Sequence, residues 1–192
     1  MKTLLAASLV ALATAPALAL AAPVTYKLDP AHTYPSLEFS HMGISVWRGK
    51  FDRTSGSVTI DRGAKTGTVD IAIDPASIDF GLDAMHEKAV SEDFFNVAKF
   101  PSASYKGKLV FDGDALKSVD GEITFMGVTK PVKLTVNGSK CIPHPLTKKE
   151  LCGADAEGEM NWGEYGMKMS QYAQGEMGRV KLRIQVEGSP TP

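Results

Sequence analysis

The chain has 192 residues, 21 of them basic and 22 acidic, for a formal net charge of −1. No basic run interrupts that balance, so nothing draws it electrostatically to nucleic acid or to an anionic membrane surface. Its length suits one domain with a sizeable core.

Residues 1–21, "MKTLLAASLVALATAPALALA", place Lys2 before an apolar, alanine-rich stretch ending in Ala19-Leu20-Ala21. This is the pattern of a cleavable secretory signal, with an A-x-A site near Ala21. The expectation is a removed leader (1–21), a single domain (22–192), and a periplasmic or secreted location. No later stretch approaches the roughly 18 apolar residues that span a bilayer, so the protein is not expected to be membrane-integral.

Most of the remaining sequence alternates with period two, the signature of strands with one buried face. In "SLEFSHM", Leu37, Phe39 and His41 share a face. In "TVDIAID", Val69, Ile71 and Ile73 oppose Asp70 and Asp74. The segment "LDAMHEKAVSEDFFNV" (82–97) breaks the period, with Leu82, Met85, Ala89 and Phe94 at helical spacing and Asp83 placed to cap the start. Strand alternation resumes in "VDGEITF", with Ile123 and Phe125 on one face, and in "PVKLTV", with Val132, Leu134 and Val136. It is cleanest in "RVKLRIQVEG", where Val180, Leu182, Ile184 and Val186 alternate with charged or polar neighbours. Turn signals fall at "DRTSG", "DRGAKTG", "DGDALKS" and "NGSK". Strands with a single apolar face disfavour a doubly covered parallel sheet. The predicted fold is all-β: an antiparallel barrel of about eight strands with one short helical insertion.

Motifs for catalysis are missing. There is no G-x-S-x-G elbow and no phosphate loop, and "HEKAV" has Val90 where a zincin would need its second histidine. Seven methionines outside the leader, with Trp47, Trp162, Tyr165 and Tyr172, supply adaptable apolar surface that suits either a packed core or a cavity for a flexible ligand. An eight-strand interior is wide enough for either. His32, His41 and His86 with the methionines leave open a second reading, a periplasmic protein handling copper or haem.

"CIPHPLTKKELC" (141–152) holds the two cysteines of the chain. Ten residues intervene, too many for a Cys-x-x-Cys redox pair, and Cys141, His144 and Cys152 make three metal ligands without a fourth. In an exported protein two such cysteines pair. A disulfide pinning an irregular loop at the barrel rim is expected.

Four stretches taken together resemble the YceI-like family of secreted polyisoprenoid-binding proteins. The first, residues 26–61, carries Asp29, His32, Phe39, His41, Gly43, Gly49 and Phe51 in the family's order. The others are "SEDFFNVAKFPSASYKGK" (91–108), "DGEITFMGVTKPVKLTV" (120–136) and "AEGEMNWGEYGM" (156–167). The resemblance implies a lipocalin-like barrel with an apolar tunnel, a long isoprenoid-chain lipid such as a polyprenyl carrier or quinone as ligand, no enzymatic activity, no cofactor, and dimers among its members. At the helix and before Trp162 the chain lacks cationic residues common in the family, which tilts the expected head group toward a neutral one such as a quinone.

Face and size then select the tunnel-lining candidates. Leu37, Phe39, His41, Val69, Ile71, Ile73, Ile123, Phe125, Leu134, Leu182 and Ile184 come from strands. Phe94, Phe95 and Phe100 follow the helix, and Trp162, Met167 and Met169 precede the last strand.

Overall fold

The computed structural model describes residues 22–167 and 175–191. The expected leader and Met169 lie outside the described residues. The strands are β1 (Val24–Leu28), β2 (Tyr34–His41), β3 (Ser45–Phe51), β4 (Thr54–Asp61), β5 (Thr66–Ile73) and β6 (Ile78–Asp79). After the helix α1 (Asp83–Val90) come β7 (Ala103–Asp112), β8 (Ala115–Phe125), β9 (Val128–Pro143), β10 (Glu150–Asn161) and β11 (Arg179–Pro190).

Eight of these strands close an antiparallel ring in the order β1-β4-β5-β7-β8-β9-β10-β11, with β11 pairing back onto β1. The alternation in the sequence explains the closure: each strand turns its apolar residues inward, and a ring leaves no unpaired edge. The predicted barrel and its single short helix are both present.

On the edge away from β10, strand β11 serves two partners. Its residues Gly188–Pro190 pair with β1, and Val180–Gln185 pair with β2. Strands β2 and β3 thus extend the β1/β4 pair beyond a break, and β6 joins the free side of β3. The break is the turn carrying Asp29 and His32. There the Ala31 amide donates to Asp29 Oδ1 (2.9 Å), and His32 Nδ1 lies 2.8 Å from Asp29 Oδ2. The hydroxyl of Thr33 donates to the Glu187 carbonyl (3.2 Å), which ties the turn to β11.

Two expected turns lie elsewhere. "DRTSG" is no hairpin, because β3 and β4 run on through Asp52-Arg53 to different partners, β2 and β1. "NGSK" lies within β9, where the pairing with β10 shifts register beside Gly138 and resumes as far as Pro143↔Glu150. The hairpin tip is residues 144–149, so both cysteines sit in strands rather than in a loop. The helix is also shorter than its periodicity suggested. It stops at Val90, and the Ser91 hydroxyl donates to the Lys88 carbonyl (2.7 Å). Its N-cap is Leu82 rather than Asp83, with no side-chain cap.

The β8–β9 turn explains the "FMGV" stretch. Met126 and Gly127 have φ of 51° and 76°, so both central residues are left-handed, as a two-residue turn matching the strand twist requires. Among the described residues no helix is long and apolar enough to cross a membrane.

Candidate functional site: an apolar cavity at one end of the barrel

The interior divides into two halves. The half nearest the β4–β5, β7–β8 and β9–β10 turns contains a cavity of about 550 Å³. Its wall is made by Leu28 from β1, Val58 and Ile60 from β4, Val69 and Ile71 from β5, and Tyr105, Leu109 and Phe111 from β7. Leu116 and Val119 (β8), Leu134 and Val136 (β9), and Ile184 and Val186 (β11) complete the apolar surface. Strand β10 contributes only Ala154 and Ala156 among its inward side chains at this depth, and these small residues leave the bore empty.

Polar groups gather at the mouth. Arg62 and Lys65 are matched there by Glu150 and Asp114. Lys65 Nζ lies 2.9 Å from Asp114 Oδ1, joining the β4–β5 and β7–β8 turns. Arg62 Nη2 donates to Glu150 Oε1 (3.0 Å), to the Tyr26 hydroxyl (3.0 Å) and to Cys141 Sγ (3.2 Å). The Tyr26 hydroxyl in turn donates to Glu150 Oε2 (2.8 Å). That bond, aided by Arg62, holds the Glu150 carboxyl below its ordinary range. Burial pushes the Tyr26 phenol up, and Glu150 adds to the shift. Cys141 and Cys152 are disulfide-bonded directly across β9 and β10 and border the cavity.

Among the described residues, packed aromatic rings fill the other half of the bore. Phe95 stacks on Phe125 and Trp162 with centroids 5.1 and 5.5 Å away. Trp162 meets Phe39 and Phe125, each at 6.0 Å, and Tyr165 packs on Phe125 at the same distance. The Asn161 side chain accepts the Gly163 amide (2.9 Å) and caps the one-turn segment that buries Trp162 and Tyr165.

Of the residues selected from sequence, Val69, Ile71, Leu134 and Ile184 line the cavity. Leu37, Phe39, Phe95, Phe125, Trp162, Met167 and Leu182 pack in or against the core of the filled half, as do the partly buried Ile73 and Ile123. Phe100 packs over the Gly127 turn, and Phe94 lies partly buried under the Lys88 ammonium. His41 stacks edge-on against Trp47 at 5.7 Å, away from the cavity. Sequence reasoning ranked large apolar groups first, and large groups are the ones that fill space rather than line it. It missed the wall contributed by β1, β4 and β7. A legible signal was the alternation of small residues in "GADAEGEM", Ala154, Ala156 and Gly158.

The histidines have separate partners: Asp29 for His32, Trp47 for His41, and the Ile78 carbonyl for His86 (2.8 Å). Asp29 holds the His32 imidazole above its usual pKa, and is itself lowered by it. Among the described residues the one close group of three such potential ligands is Cys141, Glu150 and Cys152, and its sulfurs are bonded to each other.

Comparison with known proteins agrees with this architecture. Residues 26–188 match the YceI-like domain. The protein YceI of Escherichia coli O6:H1 is 30% identical over 167 residues, covering 85% of each chain. Among solved structures, Burkholderia cenocepacia BcnA superposes with a TM-score of 0.67 at 19% identity, over 83% of this chain and 98% of that one. A polyisoprenoid binding domain from Saccharophagus degradans gives 0.59 at 14% identity, over 88% and 99%. With the motif order and the closed eight-strand ring, these matches establish that the chain belongs to the YceI-like domain family.

Proposed function

We propose that this protein is an exported carrier that sequesters the chain of an isoprenoid lipid inside its barrel, without a catalytic step and without a cofactor. The single observation that carries the reading is the cavity: a wall made mostly of hydrocarbon, with an arginine, a lysine and their carboxylate partners at its mouth. The Saccharophagus domain, described as polyisoprenoid binding, supports the choice of chain. An isoprenoid chain moved from water into such a wall gains roughly 25 cal/mol per Å² of apolar surface, less the cost of ordering it.

The mouth supports a neutral head group. Arg62 and Lys65 already have carboxylate partners there, Glu150 and Asp114. A phosphate would compete with those carboxylates, whereas a quinone or alcohol accepts or donates hydrogen bonds without breaking them. The leader-like residues 1–21 support export, to the periplasm or beyond the cell.

Native mass spectrometry of protein purified from its own compartment, paired with organic extraction, tests the reading. A stoichiometric adduct with the mass of a prenyl-chain lipid is expected. An apo spectrum that stays clean after incubation with added prenols would overturn it.

A further inference from the structure

The cavity ends inside the barrel, and what ends it bears on which chains can enter. In the closed ring, β8 stands diametrically opposite the β1/β2 line. Phe125 projects from β8, and Phe39 from β2. Trp162 contacts both, and Phe95 contacts Trp162 and Phe125 while reaching Phe51 of β3 at 6.4 Å. The rings therefore bridge the full bore. Among the described residues Phe95 and Tyr165 are 2% and 1% exposed, Phe95, Phe125 and Trp162 contribute nothing to the cavity wall, and the space on the far side of Tyr165 is a separate, mostly polar surface pocket beside Glu159, Glu164 and Arg179. Leu134 forms the floor on the near side, leaning into the space beside Gly158.

We propose that the Phe95–Phe125–Trp162 layer is a ruler that sets the length of chain this barrel accepts. The inference rests on the isoprenoid reading above and narrows it to short prenyl chains. At the packing density of a protein interior an isoprene unit occupies roughly 120 Å³, so the cavity of about 550 Å³ takes about four units. Units beyond these have no apolar wall to meet. They return past Arg62, Lys65 and Glu150 into water and add nothing to affinity.

The test is a series of prenols of rising length, geraniol, farnesol, geranylgeraniol and the nine-unit solanesol, competed for the intact purified protein and read by native mass spectrometry. Each unit up to geranylgeraniol is expected to raise affinity by at least about tenfold. Solanesol is expected to gain nothing over geranylgeraniol. Ala156→Leu, which fills the cavity from its wall, should move the optimum down to farnesol, and Trp162→Leu should move it up. If Trp162→Leu does not fold, the wild-type series and Ala156→Leu still decide. Affinity that keeps climbing to solanesol in the wild-type protein overturns the ruler while leaving the carrier reading intact. Failure of every prenol to bind overturns both.

Discussion

The ring of Tyr105 lies across Gly121 on the neighbouring strand: a Cβ on that glycine would sit 2.6 Å from the phenol oxygen and its ring carbon. From there the Tyr105 hydroxyl reaches over β8 and donates to the carbonyls of Val119 (3.2 Å) and Val132 (3.0 Å). One aromatic side chain thus spans three strands and forms part of the cavity wall. Gly121→Ala is expected to displace it and to lower unfolding free energy by roughly 1–3 kcal/mol, as overpacking does. Urea denaturation provides the measure. Gly138→Ala, at a position with open space, serves as the control and should leave the midpoint within about 0.5 kcal/mol of wild type.

The disulfide fastens the β9–β10 end of the cavity mouth and should contribute to stability even though it closes a short span. Cys141 and Cys152 have Cα atoms 4.0 Å apart and close an 11-residue separation. Replacing both with serine is expected to cost up to about 3 kcal/mol on the chain-entropy estimate. Thermal melts of the double variant, and of the wild type with and without reductant, should agree. A reductant-insensitive wild type would contradict this.

Alkaline pH should loosen the barrel, because the unfolded chain ionises tyrosines that the folded barrel keeps protonated. Burial raises the phenols of Tyr26, Tyr105 and Tyr165, the last to about 12. An acid whose folded pKa exceeds its unfolded value of about 10 keeps its proton longer when folded. Its contribution is complete below pH 10 and is lost as pH rises toward the folded value. Denaturation midpoints are therefore expected to fall between about pH 10 and 12, and Tyr165→Phe should flatten that fall. The Tyr165 hydroxyl is buried without a partner among the described residues. Tyr165→Phe should accordingly stabilise the protein at neutral pH by about 1 kcal/mol.

The Asp29–His32 contact can be followed by the titration of one imidazole. Asp29 raises the His32 pKa, and His32 lowers that of Asp29. His32 contributes below its unfolded pKa and loses that contribution as pH rises through the folded one, while Asp29 loses its share as pH falls. The pair is strongest between about pH 4 and 6.5. In Asp29→Asn the His32 midpoint, followed by NMR, should drop toward the free-histidine value. An unmoved midpoint would show that the turn, rather than the carboxylate, sets it.

Fold and site were legible to different degrees. Alternation in "RVKLRIQVEG" and "TVDIAID" gave strand faces directly, because a ring with one wet side leaves every strand amphipathic. The absence of a true turn at "DRTSG" was not legible, since the reason lies in the pairing of β3 and β4 with different partners. Nor was the division of the bore. Val69 and Phe39 read alike in sequence, but the rings that meet Phe39 come from Trp162 and Phe80, and Phe80 in turn meets Trp47 of β3. Which inward residue lines a void depends on how much its opposite neighbours fill, and those neighbours are far away along the chain.

The pairing of β11 with β1 sets an order of events. The last strand closes the ring against the first, with the Thr191 amide donating to the Thr25 carbonyl (2.8 Å). No enclosed bore exists until both have arrived, and contacts so distant in sequence form slowly. A chain emerging amino end first would hold an open, half-apolar sheet until its final residues were released. On the proposed carrier reading, loading of a lipid would then either follow closure, through the mouth, or accompany it, with the ligand serving as the surface on which the sheet curls.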